Sequence, residues 1–348
     1  MKRITAVLMA VLMITGLTAC GEADPDKARE SIQVIAMDTP MVFTAYGEKS
    51  THAVYMAEDE ARRLDALLSR TDENSVIYQL NHADGLGITV GEEVCGLIEA
   101  AEAYSQATGG AFDISIAPVV SAWGFTTDRY RVPDEAELAE LLTHVGSEHI
   151  TTAEDAAALD PGTQIDLGGI AKGYASDRVA AIFRENNVPR GKAELGGNIL
   201  VMGDKPDGTP WRVGVQDPAK PDEEAYAAIL TLEDAFIVTS GSYQRYFEEN
   251  GKRYHHIIGP ATGHPADSGL TSVTVVADSA EGNGTMCDAL STALFVMGEE
   301  RALDFWRSGT YDFELVLVTE DGRVVVTDGL KDILTEVEES GYTYEIVS

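Results

Sequence analysis

Apolar residues recur at helical spacing in HAVYMAEDEARRLDALLSR, where Val54, Ala57, Ala61, Leu64 and Leu68 fall on one face and predict an amphipathic helix. GEEVCGLIEAAEAYSQATGG predicts a second, stopped by Gly109 and Gly110. PDEAELAELLTHVG predicts a third, with Pro133 near its start and Gly146 after its end, and TMCDALSTALFVMG a fourth. Strand patterns lie between them. IQVIAMDTPMVFTAYG reads as a strand pair broken near Pro40, because proline cannot donate to a central ladder. AELGGNILVMG, WRVGVQDP, the hairpin-like AAILTLEDAFIVTSGSYQRYF, LTSVTVVA and FELVLVTEDGRVVVTDG supply further strands. TDENSVIYQLNHADG reads as a polar, turn-rich connection. In IDLGGIAKGYASDRVAAIF a strand, Ile165 to Leu167, runs into a double-glycine turn and a helix with Lys172 in its first turn. There is no β-α-β rhythm, no repeat and no composition break. The expectation is α+β: a mostly antiparallel sheet with packed helices in a single domain.

The N-terminus changes the compartment. Lys2 and Arg3 precede an apolar run, Ile4 to Leu17, too short to span a bilayer, and the run closes on LTAC. That is the anatomy of an export signal. Small residues directly before Cys20 resemble the bacterial lipobox, so residues 1–19 read as a lipoprotein signal peptide and Cys20 as the lipidated first residue of the mature chain. Residues 20–31 then form a polar tether, and 32–348 the domain. An acyl anchor adds about 0.8 kcal/mol per buried methylene, which would hold the protein on the outer face of the cytoplasmic membrane. No other stretch is apolar enough to span.

Charge narrows the partners. The chain has 58 acidic and 25 basic residues, a net charge of -33. Such a surface repels nucleic acid and anionic headgroups, so membrane association would run through the lipid. A polyanionic substrate would need a local positive device. Cys95 and Cys287 can pair or stay free; burial as small apolar side chains is the expectation.

Four motifs carry candidate chemistry. On the helix of TMCDALSTALFVMG, Asp288, Ser291 and Thr292 stand at i, i+3 and i+4 and share a face. Three oxygen-bearing side chains suit a hard cation such as magnesium; an acidic first turn stabilised by the helix dipole is the plainer alternative. In YHHIIGPATGHP, His255 and His256 alternate on a strand, so one packs while the other faces a cleft, where histidine is suited to accept a proton. A zinc site with His264 lacks a supporting cysteine or Glu-x-x-His spacing. Asp113 follows two glycines and an aromatic, as where backbone approaches a ligand or where a turn leads into a strand. Lys172 beside helix-start amides suits an anion, although neither the P-loop nor the dinucleotide glycine pattern is present.

Together and in this order, TGGAFDISIAPVVSAWGF, DLGGIAKGYASDRVA, LGGNI, WRVGVQDP, SGSYQRYF, YHHIIGPATGHP and DALSTALFVMG resemble the ApbE family of FAD:protein FMN transferases, from about Ile32 to Asp332. Members with a lipobox are familiar in that family. The resemblance implies a T-fold-related domain and makes the expected anion the pyrophosphate of FAD. It implies Mg2+ held by Asp288, Thr292 and the carbonyl of Gly169, with Ser291 beside them. It also implies FAD contacts from Met37, Ala111, Phe112, Asp113, Asp166, Lys172 and the backbone at Ile258, with His256 as general base. The metal would answer the charge problem. The implied reaction moves FMN to a threonine or serine hydroxyl of an acceptor protein, an FMN-binding domain of an exported or membrane electron-transfer system, and releases AMP. A Mg-dependent FAD pyrophosphatase and a non-catalytic flavin-binding lipoprotein are the alternatives. Three positions depart from the pattern: Gly259 where aspartate is usual, Thr71 where an aromatic is frequent, and Asp38 where glycine is usual.

Overall fold

The computed structural model describes residues 28–127 and 129–348. The signal peptide, Cys20 and most of the tether lie outside them. The first strand begins at Arg29, so the last residues read as tether belong to the sheet.

Nine strands form the main sheet, and they lie across it in chain order: Arg29–Ala36, Thr39–Tyr46, Arg190–Leu195, Asn198–Met202, Ala235–Gly241, Leu270–Asp278, Glu314–Thr319, Arg323–Thr327 and Thr343–Val347. Every neighbouring pair is antiparallel except the last, which is parallel. Side-chain alternation splits the buried residues between two cores. From Leu270–Asp278, Val273 and Val275 enter the helix-side core, while Val276 joins the opposite one. Helices Ser50–Leu68, Ala171–Glu185 and Asn283–Met297 fill the first side. A three-stranded sheet, Trp211–Gln216, Tyr226–Leu232 and Leu334–Glu336, covers the second. The architecture is therefore α+β with a mostly antiparallel sheet, as the hydrophobic pattern implies.

Four local expectations are corrected. The first hairpin turns at Met37 and Asp38, whose φ values are 50 and 57, and Pro40 lies inside the second strand opposite Ile35. Pairing of that strand with its other neighbour starts one residue later, at Met41, so the missing N–H costs no ladder bond. AAILTLEDAFIVT does contain two strands, but they do not pair: Tyr226–Leu232 joins the small sheet and Ala235–Gly241 the main one. The polar connection hides a helix, Val76–Asn81, whose N-cap Ser75 accepts from the amides of Ile77 and Tyr78. Its single turn and a half is too short to show a period. Ile165 to Leu167 joins no ladder; only Gln164 bridges, to Ile116. The Asn81 side chain and one backbone bond, Asp166 N–H to Ile114 O, replace the ladder there.

Both described cysteines, Cys95 and Cys287, are free and buried. Burial raises the pKa of each thiol.

Candidate active site

The site grows from one helix crossing. A Cβ on Gly173 would stand 2.3 Å from the carbonyl oxygen of Gly284, and one on Gly284 would stand 2.7 Å from that of Gly173. Helices Ala171–Glu185 and Asn283–Met297 therefore touch backbone to backbone at their first turns. Each then supplies a carboxylate to the other's free amides. Asp177 accepts from Gly284 N–H (2.9 Å), Thr285 N–H (2.8 Å) and the Thr285 hydroxyl (2.6 Å). Asp288 Oδ2 accepts Gly173 N–H at 2.8 Å. Desolvation raises the pKa of Asp177 against the lowering pull of those bonds. Asp288 is 2% exposed, and its second oxygen faces Lys172 Nζ at 3.5 Å, which also donates to Gly168 O at 3.1 Å. The ammonium stands where a cation would meet the same carboxylate.

Of the four residues expected around a metal, Gly169 and Thr292 adjoin each other here, and Asp288 stands one helical turn before Thr292. Asp288 brings a carboxylate oxygen that meets Lys172 Nζ at 3.5 Å, and Thr292 a half-buried hydroxyl that lies 3.3 Å from Ser240 Oγ. A Cβ on Gly169 would lie 3.8 Å from Thr292 Oγ1 and 3.0 Å from the Phe112 ring, so the double-glycine turn runs directly past both. Ser291 differs: it is fully buried, donates to Asp288 O at 2.9 Å and bonds Ser240 Oγ at 2.7 Å. Its hydroxyl is committed to the fold. No group of three His, Cys, Asp or Glu side chains able to hold a metal occurs among the described residues. Carboxylate, hydroxyl and peptide carbonyl are nonetheless hard oxygen donors, and a single carboxylate suits a cation that keeps water or substrate oxygens in its remaining positions. Asn198 Nδ2, buried without a partner, lies in the strand next to Ala235–Gly241, which carries Ser240.

The turn ahead of Lys172 is held by residues the sequence pattern did not single out. Asn81 accepts Ile165 N–H (2.7 Å) and donates to Ile165 O (2.9 Å), and Asp166 N–H bonds Ile114 O (2.8 Å). Asp166 accepts from Gly168 N–H at 2.9 Å and from Arg70 at 3.1 Å, and Arg70 also donates to Ser121 Oγ at 2.7 Å. Arg70 is thus a second cation at this turn. In sequence it sits just past the end of a helix pattern, where nothing marks it.

The other expected contacts line the same region unevenly. Ala111 and Phe112 are buried behind Gly109 and Gly110, whose φ values are 63 and 79. Asp113 folds back on Ser115, accepting its N–H (2.8 Å) and hydroxyl (2.5 Å), and the turn leads into helix Ala117–Trp123, not a strand. Desolvation raises the pKa of Asp113. Met37 takes a positive φ and donates its N–H to Asp65 at 2.9 Å. Ile258 buries its side chain among Val119, Trp123 and Leu138, and its backbone bridges to Pro265. Gly259 closes its turn without a side chain: its N–H donates to His264 O at 2.9 Å, and its carbonyl accepts from Gly263 N–H at 2.9 Å.

The two histidines separate cleanly. Strand Lys252–His255 ends at His255. Both nitrogens of His255 are engaged, Nε2 donating to Ala266 O (3.1 Å) and Nδ1 accepting Ile257 N–H (3.3 Å), and its ring meets Phe295 edge-on. His256 donates Nδ1–H to Arg245 O at 3.2 Å. A carbonyl can only accept, so this bond fixes the tautomer and leaves the Nε2 lone pair open. Desolvation in the cleft, aided by the Arg245, His255 and Lys172 charges, pushes the His256 pKa down to about 4. The ring is neutral at physiological pH. His264 pairs with Glu135 at 3.3 Å and assembles no zinc site.

A cationic corner suited to an anion, with a neutral histidine ring nearby, is compatible with an enzyme of the group-transfer class. Its family is shown by comparison: residues 37–317 match the model of the ApbE family, and the chain belongs to that family. Among its relatives, the FAD:protein FMN transferase of Klebsiella pneumoniae is 32% identical over 302 residues, spanning 85% of this chain and 91% of the relative. That of Haemophilus influenzae is 30% identical over 358 residues, spanning 97% and 100%. The crystal structure of the ApbE protein of Thermotoga maritima superimposes with a TM-score of 0.81 at 34% identity, covering 89% of this chain and all of that one. The apo form of Pseudomonas stutzeri flavinyl transferase ApbE gives 0.77 at 27%, covering 88% and 96%.

Proposed function

We propose that this protein is an FAD:protein FMN transferase that joins FMN to a threonine or serine hydroxyl of an acceptor protein and releases AMP. The observation that carries the reading is a neutral His256, its Nε2 open, near enough to Lys172 to feel its charge, with Lys172 in turn on Asp288. The hydroxyl gives its proton to His256 Nε2 while its oxygen attacks the FMN phosphorus. A new phosphodiester bond forms as the P–O–P bond breaks, and the leaving AMP carries the phosphate oxygen away. Lys172 and the amides at the start of its helix receive the pyrophosphate charge. Mg2+, held by Asp288, Thr292 and the Gly169 carbonyl, would supply further neutralisation of phosphate oxygens. Arg70 and Asn81 hold Asp166 and the double-glycine turn in register with that corner. An anionic pyrophosphate close to the ring would raise the His256 pKa from its depressed value.

The mature protein would be an exported lipoprotein anchored through Cys20 to the outer face of the cytoplasmic membrane, meeting FMN-binding domains of electron-transfer systems there. Among the described residues no helix is long and apolar enough to cross a membrane. The test is to incubate the Cys20-truncated protein with FAD, Mg2+ and an FMN-binding acceptor domain and weigh the acceptor. A flavin-mass adduct is expected. FMN and AMP released without any adduct would make the protein a pyrophosphatase instead.

A further inference from the structure

Within SGSYQRYF, Arg245 serves the base through its carbonyl, which accepts both the main-chain N–H of His256 (3.1 Å) and the ring Nδ1–H (3.2 Å). The hairpin also places its side chain. Strands Tyr246–Glu249 and Lys252–His255 pair with Tyr246 opposite His255 and Phe247 opposite Tyr254. One step further in that register, the His256 N–H on Arg245 O sets Arg245 opposite His256. Opposed residues of an antiparallel pair project from the same face, with Cβ atoms about 5 Å apart.

That face carries three rows: Arg245 with His256, Phe247 with Tyr254, and Glu249 with Lys252. The aromatic row packs on the core around Val119, Trp123 and Leu138, and it separates the opposed Glu249 and Lys252 charges from the row that holds the base. Other cations nearby are already paired. Arg253, on the opposite face, meets Glu248 at 3.5 Å, and Arg131 is held by Glu137. Arg245 keeps an exposed guanidinium to which no described carboxylate comes within ion-pair distance. In a chain of net charge -33, that leaves a local positive charge directly beside the base. Lys172, from helix Ala171–Glu185, is the second cation whose charge reaches the same ring. An anion drawn to both cations comes within reach of the open Nε2.

Resting on the transferase reading above, we propose that Arg245 is a further catalytic residue, its guanidinium binding the non-bridging oxygens of the FMN phosphorus while Lys172 receives the rest of the pyrophosphate. The forked guanidinium matches two phosphate oxygens at once. As the acceptor O–H bond breaks, its proton goes to Nε2 and its oxygen bonds to phosphorus. The P–O bond to AMP breaks, and its electron pair leaves on the AMP phosphate. A cation already in place on the non-bridging oxygens stabilises the charge that shifts while these bonds exchange.

The test uses the whole enzyme with Mg2+, saturating FAD and a folded FMN-binding acceptor domain, following adduct formation, with FAD affinity measured separately. Arg245→Ala should slow transfer by about 10²- to 10³-fold while its melting temperature stays near that of wild type. Arg245→Lys should fall between the two, because an ammonium keeps the charge but not the fork. Guanidinium chloride, against sodium chloride at equal ionic strength, should restore part of the Arg245→Ala rate and none of the His256→Ala rate. Arg253→Ala, on the other face, should transfer normally. An Arg245→Ala protein with the wild-type rate overturns the assignment, and so does a slow one that neither lysine nor guanidinium restores. A wild-type protein that splits FAD without modifying the acceptor overturns the transferase reading instead, and the same Arg245 comparison is then read from AMP release.

Discussion

The sharpest consequence of the site concerns two adjacent histidines. Replacing His256 by alanine removes a ring whose Nδ1–H is fixed on Arg245 O and whose Nε2 is free to accept a proton. A positioned general base contributes about 10²- to 10⁴-fold in rate, equivalent to roughly 3–5 kcal/mol of barrier. The His256→Ala protein should therefore transfer FMN slower by that range while binding FAD nearly as well. Replacing His255 has a different cost. Its two hydrogen bonds are worth about 1 kcal/mol each, and its contact with Phe295 is lost as well. The His255→Ala protein should melt several degrees lower, yet turn over near the wild-type rate once folded. Acceptor flavinylation at saturating FAD, with FAD affinity measured separately, distinguishes the two. A His255→Ala protein that binds FAD but does not transfer, beside a His256→Ala protein that does, would refute the tautomer argument.

The same ring gives a pH signature without substrate. Its pKa lies below its ordinary value of 6.5, at about 4, so folding favours the neutral form; its stabilising contribution is full above pH 6.5 and lost as pH falls towards 4. Thermal midpoints of wild type should fall through that window more steeply than those of His256→Gln. Asp288→Ala should abolish transfer and remove the Mg2+ dependence of FAD binding, with Thr292→Ala less severe; an Asp288→Ala protein with a normal magnesium titration would remove this residue from the site. Gly173→Ala would press a methyl to 2.3 Å from Gly284 O, so the helices must separate; a loss of about 1–3 kcal/mol is expected, and an unchanged melting temperature would contradict the crossing. Cys20→Ser should leave the exported protein in the soluble fraction, and continued sedimentation with membranes would dismiss the lipid anchor.

Hydrophobic period alone determined most of the elements: the helix face through Val54, Ala57, Ala61, Leu64 and Leu68 is buried in the helix-side core apart from no member of that set. It also determined the class, since hairpin-linked strands without a β-α-β rhythm lead to an antiparallel sheet. The i, i+3, i+4 spacing put Asp288, Ser291 and Thr292 on one face, but spacing could not say which hydroxyl is spent. That depended on Ser240, a strand residue far away in the chain whose hydroxyl lies 2.7 Å from Ser291 and 3.3 Å from Thr292, and on the packing that buries Ser291 fully while Thr292 stays half-buried. Short elements escaped for a related reason. Val76–Asn81 is held by a cap, and Ile165 to Leu167 by the Asn81 amide, so neither shows a period. Only the tertiary structure decided that Gly173 and Gly284 meet, that Asp177 and Asp288 cap each other's helices, and that Arg70 reaches Asp166. Each of these joins residues distant in sequence, and a contact of that kind leaves no local pattern, because it is fixed by how whole helices pack and not by the order of their neighbours.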